Sequence, residues 1–202
     1  MTRLLGTIVL LSCWPALGQG ESTLAGPATT PPSPITASER LKWFTVSTVG
    51  PTSLAAGVIS AGWGTMMNKP REYGPHWEGF GQRYGMRLTG VSTGNAMEAG
   101  LGAIWHEDPR YNRVGNEGFG RRVKHIVVMT FMSPNGRGGV MPAYARYVAI
   151  PGNNFLSNTW REPSEATNSN AAYRTGLGFL GRMAGNAFME FWPDVKRKVL
   201  RH

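Results

Sequence analysis

The chain has 202 residues, with 21 Lys and Arg against 12 Asp and Glu for a formal charge of +9, and it contains 27 glycines, 14 prolines and one cysteine. A single cysteine excludes a disulfide framework and any cysteine-based metal cluster, so stability has to come from packing. The length suits one folded domain once the terminal segments are set aside.

The N-terminus has the three parts of an export signal over residues 1–18: Arg3, the apolar run Leu4 to Leu11, and a small-residue site at Ala16-Leu17-Gly18. That run is shorter than the ~20 residues a bilayer crossing needs. A rival reading ends the signal at Cys13, where Leu10-Leu11-Ser12-Cys13 loosely matches a lipid-attachment site. Cleavage after Gly18 removes the cysteine, one basic residue and no acidic one, leaving a charge of +8. Residues 19–36 contain Pro27, Pro31, Pro32 and Pro34, offer no core, and read as a disordered linker. The folded domain is then 37–202.

Thr36-Ala37-Ser38-Glu39 has the form of a capping box, which places a helix start at residue 37. No charge occurs from Trp43 to Asn68, and Gly50-Pro51 divides the stretch into two helical pieces. A loop over 69–80 precedes a helix over about 80–104, and the polar segment His106 to Tyr111 follows. Residues 119–131 read as a helix, with the alternative that Asn135-Gly136 turns a hairpin onto 140–150. A helix over 141–158 is expected to break near Pro151-Gly152. The last long helix, about 170–191, is expected to end before Pro193, with a short basic helix closing the chain.

Small residues recur at helical spacing: Ser53, Gly57 and Ala61, then Gly90, Gly94 and Gly102, then Gly181 and Gly185. Residues four apart share a helix face, so each series forms a groove that lets another backbone approach closely. The fold class implied is all-α, a bundle of five to six Gly-rich helices with one short β-hairpin as an option. Charges also fall on common faces: Arg83, Arg87 and Glu98 on one helix, and Arg174, Arg182, Asn186 and Glu190 on another. Burying such groups alone costs several kcal/mol, so pairing between helices is expected of Arg87 and Arg182 with Glu98 and Glu190. Beyond the signal, Trp43, Trp63, Trp77, Trp105, Trp160 and Trp192 fall near expected helix ends, the positions favoured at a membrane interface.

Familiar catalytic devices are missing from the sequence. His76, His106, His125 and His202 match no metal-ligand spacing, and neither G-x-S-x-G nor a P-loop is present. Gly79-Phe80-Gly81 and Gly118-Phe119-Gly120 lack the preceding strand that a phosphate turn requires. The weak catalytic candidates are His106, Glu107 and Asp108, a base beside two carboxylates, as in an envelope hydrolase. No metal site and no cofactor is implied. The basic clusters Arg121, Arg122, Lys124 and Lys196, Arg197, Lys198 are candidate binding residues. For an exported protein the matching partner is an anionic lipid or envelope polymer rather than nucleic acid.

The strings Trp77 to Gly85 (WEGFGQRYG), Glu107 to Tyr111 (EDPRY), Ser157 to Trp160 (SNTW) and Glu190 to Asp194 (EFWPD) resemble a family of uncharacterised exported bacterial proteins. The resemblance spans roughly residues 38–196 and implies no activity or site residue. The sequence therefore predicts an exported helical bundle of the periplasm or outer envelope, associated with a membrane, in a structural or interaction role. The alternatives are a binder of anionic lipid or glycan and a hydrolase.

Overall fold

A computed structural model describes residues 34–136 and 138–199; the expected signal and most of the linker lie outside the described residues. The fold is an all-α bundle with one two-stranded antiparallel hairpin. Its helices are α1 (Ala37–Val49), α2 (Pro51–Met66), α3 (Trp77–Ile104), α4 (Phe119–Phe131), α5 (Tyr144–Leu156) and α6 (Asn168–Val199). The hairpin strands β1 (Met132–Pro134) and β2 (Val140–Pro142) pair with Ser133 opposite Met141.

The local signals work as their chemistry requires. Thr36 Oγ1 accepts from the Glu39 amide at 3.2 Å, and Glu39 returns a carboxylate oxygen to the Thr36 amide at 2.8 Å, closing the capping box that starts α1. Gly50 is extended (φ −67°, ψ 159°), as a residue before proline prefers, and Pro51 opens α2. A Cβ at Gly50 would collide with the Val46 carbonyl oxygen.

Two expected interruptions do not occur. Helix α5 runs through Pro151, and α6 runs unbroken through Pro193 to Val199, so no separate basic helix closes the described chain. A proline removes one helical donor, at Pro193 the one for the Met189 carbonyl, and the helix continues past it. In the same turn the Glu190 carbonyl accepts from Arg113 Nε at 2.8 Å and from Arg122 Nη2, which ties this part of α6 to its neighbours. Residues 119–131 are helical, and the hairpin that follows is shorter than the alternative with 140–150.

α3 lies at the centre, flanked by α1, α2 and α5; α6 packs on α5, and α4 on α6. The first two small-residue faces are used in part, and what enters them is mostly side chain: Gly57 lies under the Tyr84 ring and Arg87, and Gly94 under Asn153, whereas a Cβ at Gly90 would meet nothing within 4 Å. On α6, Gly178, outside the expected series, lies under Ile150. The usual segregation of residue types is inverted. The largest fully buried side chains are Glu190, Asn186, Thr130, Ser53, Ser133 and Ser157, whereas Ile59, Leu180, Phe119 and Trp192 are exposed. By length and composition one described helical stretch, Ala37–Met66, is apolar enough to cross a membrane.

These contacts give opposite signs to similar substitutions. A Cβ added at Gly57 or Gly178 comes within 2.7 Å of Tyr84 or Ile150, whereas one added at Gly85 meets nothing within 4 Å. Gly57→Ala and Gly178→Ala are expected to lower stability by about 1–3 kcal/mol. Gly85→Ala is expected to raise it by about 0.5–1 kcal/mol, because alanine loses less entropy in a helix. Thermal melts of the three variants check the ordering.

Candidate functional site: a buried arginine lattice and a basic, aromatic end

Two constellations organise the polar groups. The first is buried among α3, α5 and α6. Glu98 Oε1 accepts from Arg146 Nε at 3.1 Å and from Arg182 Nη2 at 3.0 Å. Arg146 also donates to the carbonyls of Met129 (2.9 Å) and Thr130 (2.8 Å), and Arg182 to that of Pro109 (2.7 Å). The Met129 and Thr130 carbonyls belong to the last turn of α4, where helix carbonyls lack internal donors and the dipole favours a cation. Arg146 thus caps α4 while pairing with α3.

The expected ladder is corrected in its partners. Arg182 pairs with Glu98, as anticipated for that carboxylate, but Arg87 donates to the Ser53 carbonyl at 3.1 Å. Glu190 is paired with Arg122 of α4, at 2.8 Å, rather than with Arg182. The fully buried Glu190 carboxylate also accepts from Tyr111 Oη (2.9 Å) and from the amides of Val114 and Gly115 (3.1 Å each). Burial, then the hydrogen bond to Glu190, pushes the Tyr111 phenol up and keeps it a donor. Arg83 donates to the loop carbonyls of Lys69, Pro70 and Gly74, and Arg174 to the carbonyl of Glu165, to that of Asn154 in α5 and to the Asn158 side chain.

The catalytic candidates are not brought together. His106 is exposed, with φ at 59°, while Glu107 and Asp108 are buried. Glu107 accepts from the Ala145 amide at 3.1 and 3.2 Å, which caps the start of α5. Burial pushes its carboxyl up, against the lowering effect of that amide. Asp108 is held by Arg110 at 2.7 Å. Both carboxylates therefore have structural duties, and among the described residues the His106 ring is hydrogen-bonded to neither. No group of three or more His, Cys, Asp and Glu among the described residues is arranged to hold a metal ion.

The second constellation was only half legible. Antiparallel packing of α4 on α6 brings Arg121 and Lys124 to the same end of the molecule as Lys196, Arg197 and Lys198, all exposed. Arg122 does not belong to this surface; its side chain is 12% exposed and points into the Glu190 pair. Aromatic rings interleave with the cations: Phe119 lies 5.7 Å from Phe191, and Phe188 stacks on Trp192 at 5.1 Å. Trp77 and Trp105 are exposed at the ends of α3; Trp192 is exposed but lies two turns inside α6, and Trp43 is buried in the core. No family model, curated protein or solved structure matches this chain.

Two outcomes follow from these geometries. Glu190→Ala takes the buried acceptor from the Tyr111 hydroxyl and the Val114 and Gly115 amides and leaves Arg122 with Asp194 as its carboxylate partner, and is expected to cost about 3–5 kcal/mol. Glu165, paired with Arg161 near the surface, is the control, and Glu165→Ala is expected to cost about 0–1 kcal/mol; thermal melts compare the two. Asp194 is pushed up by burial, but hydrogen bonds from Arg122, Arg197 and Arg113 outweigh this and hold it at about 2, below its ordinary 3.8. A depressed carboxyl stabilises the fold above its unfolded pKa and loses that contribution as pH falls through the folded one. Wild-type melting temperature is therefore expected to drop more steeply than that of Asp194→Asn between pH 3.8 and about 2.

Proposed function

We propose that this protein is a membrane-embedded helical bundle of the cell envelope, with a structural or interaction role and its basic, aromatic end at an anionic headgroup layer. The observation that carries this reading is the charge distribution over the outer faces. Every exposed position is uncharged on α2, on α5, on α3 from Gly81 onward, and on α6 from Ala172 to Trp192. The α6 stretch alone is about 30 Å long, the thickness of a bilayer's hydrocarbon core. Helices facing water carry charges on their outer face; here the charges of the same segments face inward and pair, as polar groups do inside membrane bundles.

Exposed cations mark one edge of this uncharged band. Arg121 and Lys124 precede the exposed Val127, Val128 and Phe131 on α4, and Lys196 to Lys198 follow Trp192 on α6. Aromatic rings next to basic residues suit the headgroup boundary, where each cation near an anionic surface contributes about 1 kcal/mol. The export signal pattern and the resemblance to exported bacterial proteins support an envelope location.

Fractionation of cells followed by an alkaline carbonate wash tests the reading: the protein is expected to stay with the membrane pellet, and release into the wash would overturn embedding. Leu180, more than half exposed, sits in the middle of the α6 band. Leu180→Lys is expected to reduce the carbonate-resistant fraction sharply, because a lysine there costs about 2.5–3.5 kcal/mol on insertion scales. Val195→Lys, beside the existing cations, is expected to leave it unchanged. On a water-facing surface both would be tolerated.

A further inference from the structure

Between α2, α3, α5 and α6 lies a cavity of about 570 Å³, a volume that suits a small organic ligand. It reaches the surface beside the exposed Lys69, Arg71 and Ser164, at the opposite end of α6 from Lys196 to Lys198. The charges in its depth are committed to the protein. Arg83 bonds three loop carbonyls and Arg87 the Ser53 carbonyl. Arg174 bonds the Glu165 and Asn154 carbonyls and Asn158, and Arg182 shares Glu98 with Arg146. An anion entering here would have to draw donors away from these partners. A cation would meet a wall in which positive groups outnumber negative ones. The cavity therefore favours an uncharged occupant.

What the wall leaves unmet is an acceptor. Asn153 Nδ2 donates to the Gly90 carbonyl at 3.0 Å, which fixes the way the amide points, and its buried Oδ1 has no donor among the described residues. Buried side-chain acceptors ordinarily have one. The amide lies over Gly94, where an added Cβ would come within 3.1 Å of it, so the acceptor stands beside bare α3 backbone. One turn earlier the space is open, since a Cβ at Gly90 would meet nothing within 4 Å. Val91, Ala149 and Leu177 complete an apolar surface there. A hydroxyl group supplies a donor without bringing a charge, which is the combination this wall calls for.

We infer that this cavity binds an uncharged alcohol, its hydroxyl donating to Asn153 Oδ1 and its carbon skeleton lying over Gly90 and Leu177. The site is distinct from the basic end of α4 and α6 and holds whether or not the bundle is embedded. Two sources share this chemistry: the glycerol hydroxyls of a neutral lipid, and a soluble sugar.

The test uses the full-length protein in a zwitterionic detergent that carries no hydroxyl group, and measures binding calorimetrically with two probes, monooleoylglycerol and methyl glucoside. Saturable binding of at least one probe is expected, with monooleoylglycerol alone assigning the lipid source and methyl glucoside the soluble one. The fully acetylated counterpart of the probe that binds keeps the skeleton but has no donor, and is expected to bind about tenfold more weakly or less. Gly90→Phe fills the open space beside Asn153 and is expected to weaken binding by about tenfold or more. Asn153→Leu, which removes the acceptor, is expected to weaken it too. Gly85→Phe, on the outer face of α3 with equal space around it, is expected to bind as wild type. Failure of both probes to bind, equal affinity for the acetylated counterpart, or wild-type affinity in Gly90→Phe would each overturn the assignment. Because carbonate extraction reports on the exterior alone, this outcome is independent of the membrane reading.

Discussion

A single buried carboxylate organises most of the bundle. Glu98 sits on the central helix and holds Arg146 of α5 and Arg182 of α6, both nearly inaccessible to water. Three charges buried together would ordinarily be poor value, since the desolvation of each costs several kcal/mol. Here the guanidiniums spend their remaining donors on backbone carbonyls that also need partners: those at the end of α4 and that of Pro109. The arrangement therefore satisfies two sets of buried groups at once. It also joins α3, α5, α6, the end of α4 and the loop after α3, whose polar groups meet in this one network.

Such a lattice makes sense of an interior with little apolar volume. The clearest hydrophobic cluster is Tyr111, Ile126 and Met129 with their partly buried neighbours, and it lies between α4 and α6 beside the Glu190 pair. Elsewhere the contacts are small residues against side chains: Gly57 beneath Tyr84, Gly178 beneath Ile150, and Ser47 and Thr48 buried on α1. Close packing of this kind gains dispersion energy from proximity rather than from removing large apolar area from water. Many of the large apolar side chains, Ile59, Leu180, Phe119 and Trp192 among them, are on the outside and contribute little to the interior.

The elements governed by local chemistry were readable from the sequence. The capping box of Thr36 and Glu39, the break at Gly50-Pro51 and the helical nature of 119–131 all depend on residues a few positions apart. Pro151 and Pro193 misled for the opposite reason. The turn before Pro193 is tied to the rest of the molecule by Arg113 and Arg122, some 70 residues away, which bond the Glu190 carbonyl. Pairing of buried charges was foreseeable in kind, because charged residues on small-residue helices need partners, but not in identity. The basic run at 121–124 held a signal that charge counting overlooks. Arg122, Ile126 and Met129 share one helix face, and that face is buried, whereas Arg121 and Lys124 fall outside it.

Positive charge consequently divides into two populations that respond differently to their surroundings. Arg146, Arg174 and Arg182 are locked into short hydrogen bonds away from water, where added salt screens little. Arg121, Lys124, Lys196, Arg197 and Lys198 are exposed at one end, and their interaction with any anionic surface weakens as ionic strength rises. The net charge of +9 is thus not a measure of surface basicity. The inner population is the cohesive part of the fold and the outer one a local field at one edge of an uncharged band. A neutralising change inside disrupts packing at any salt concentration; one outside leaves the packing intact and changes only the field at that end of the bundle.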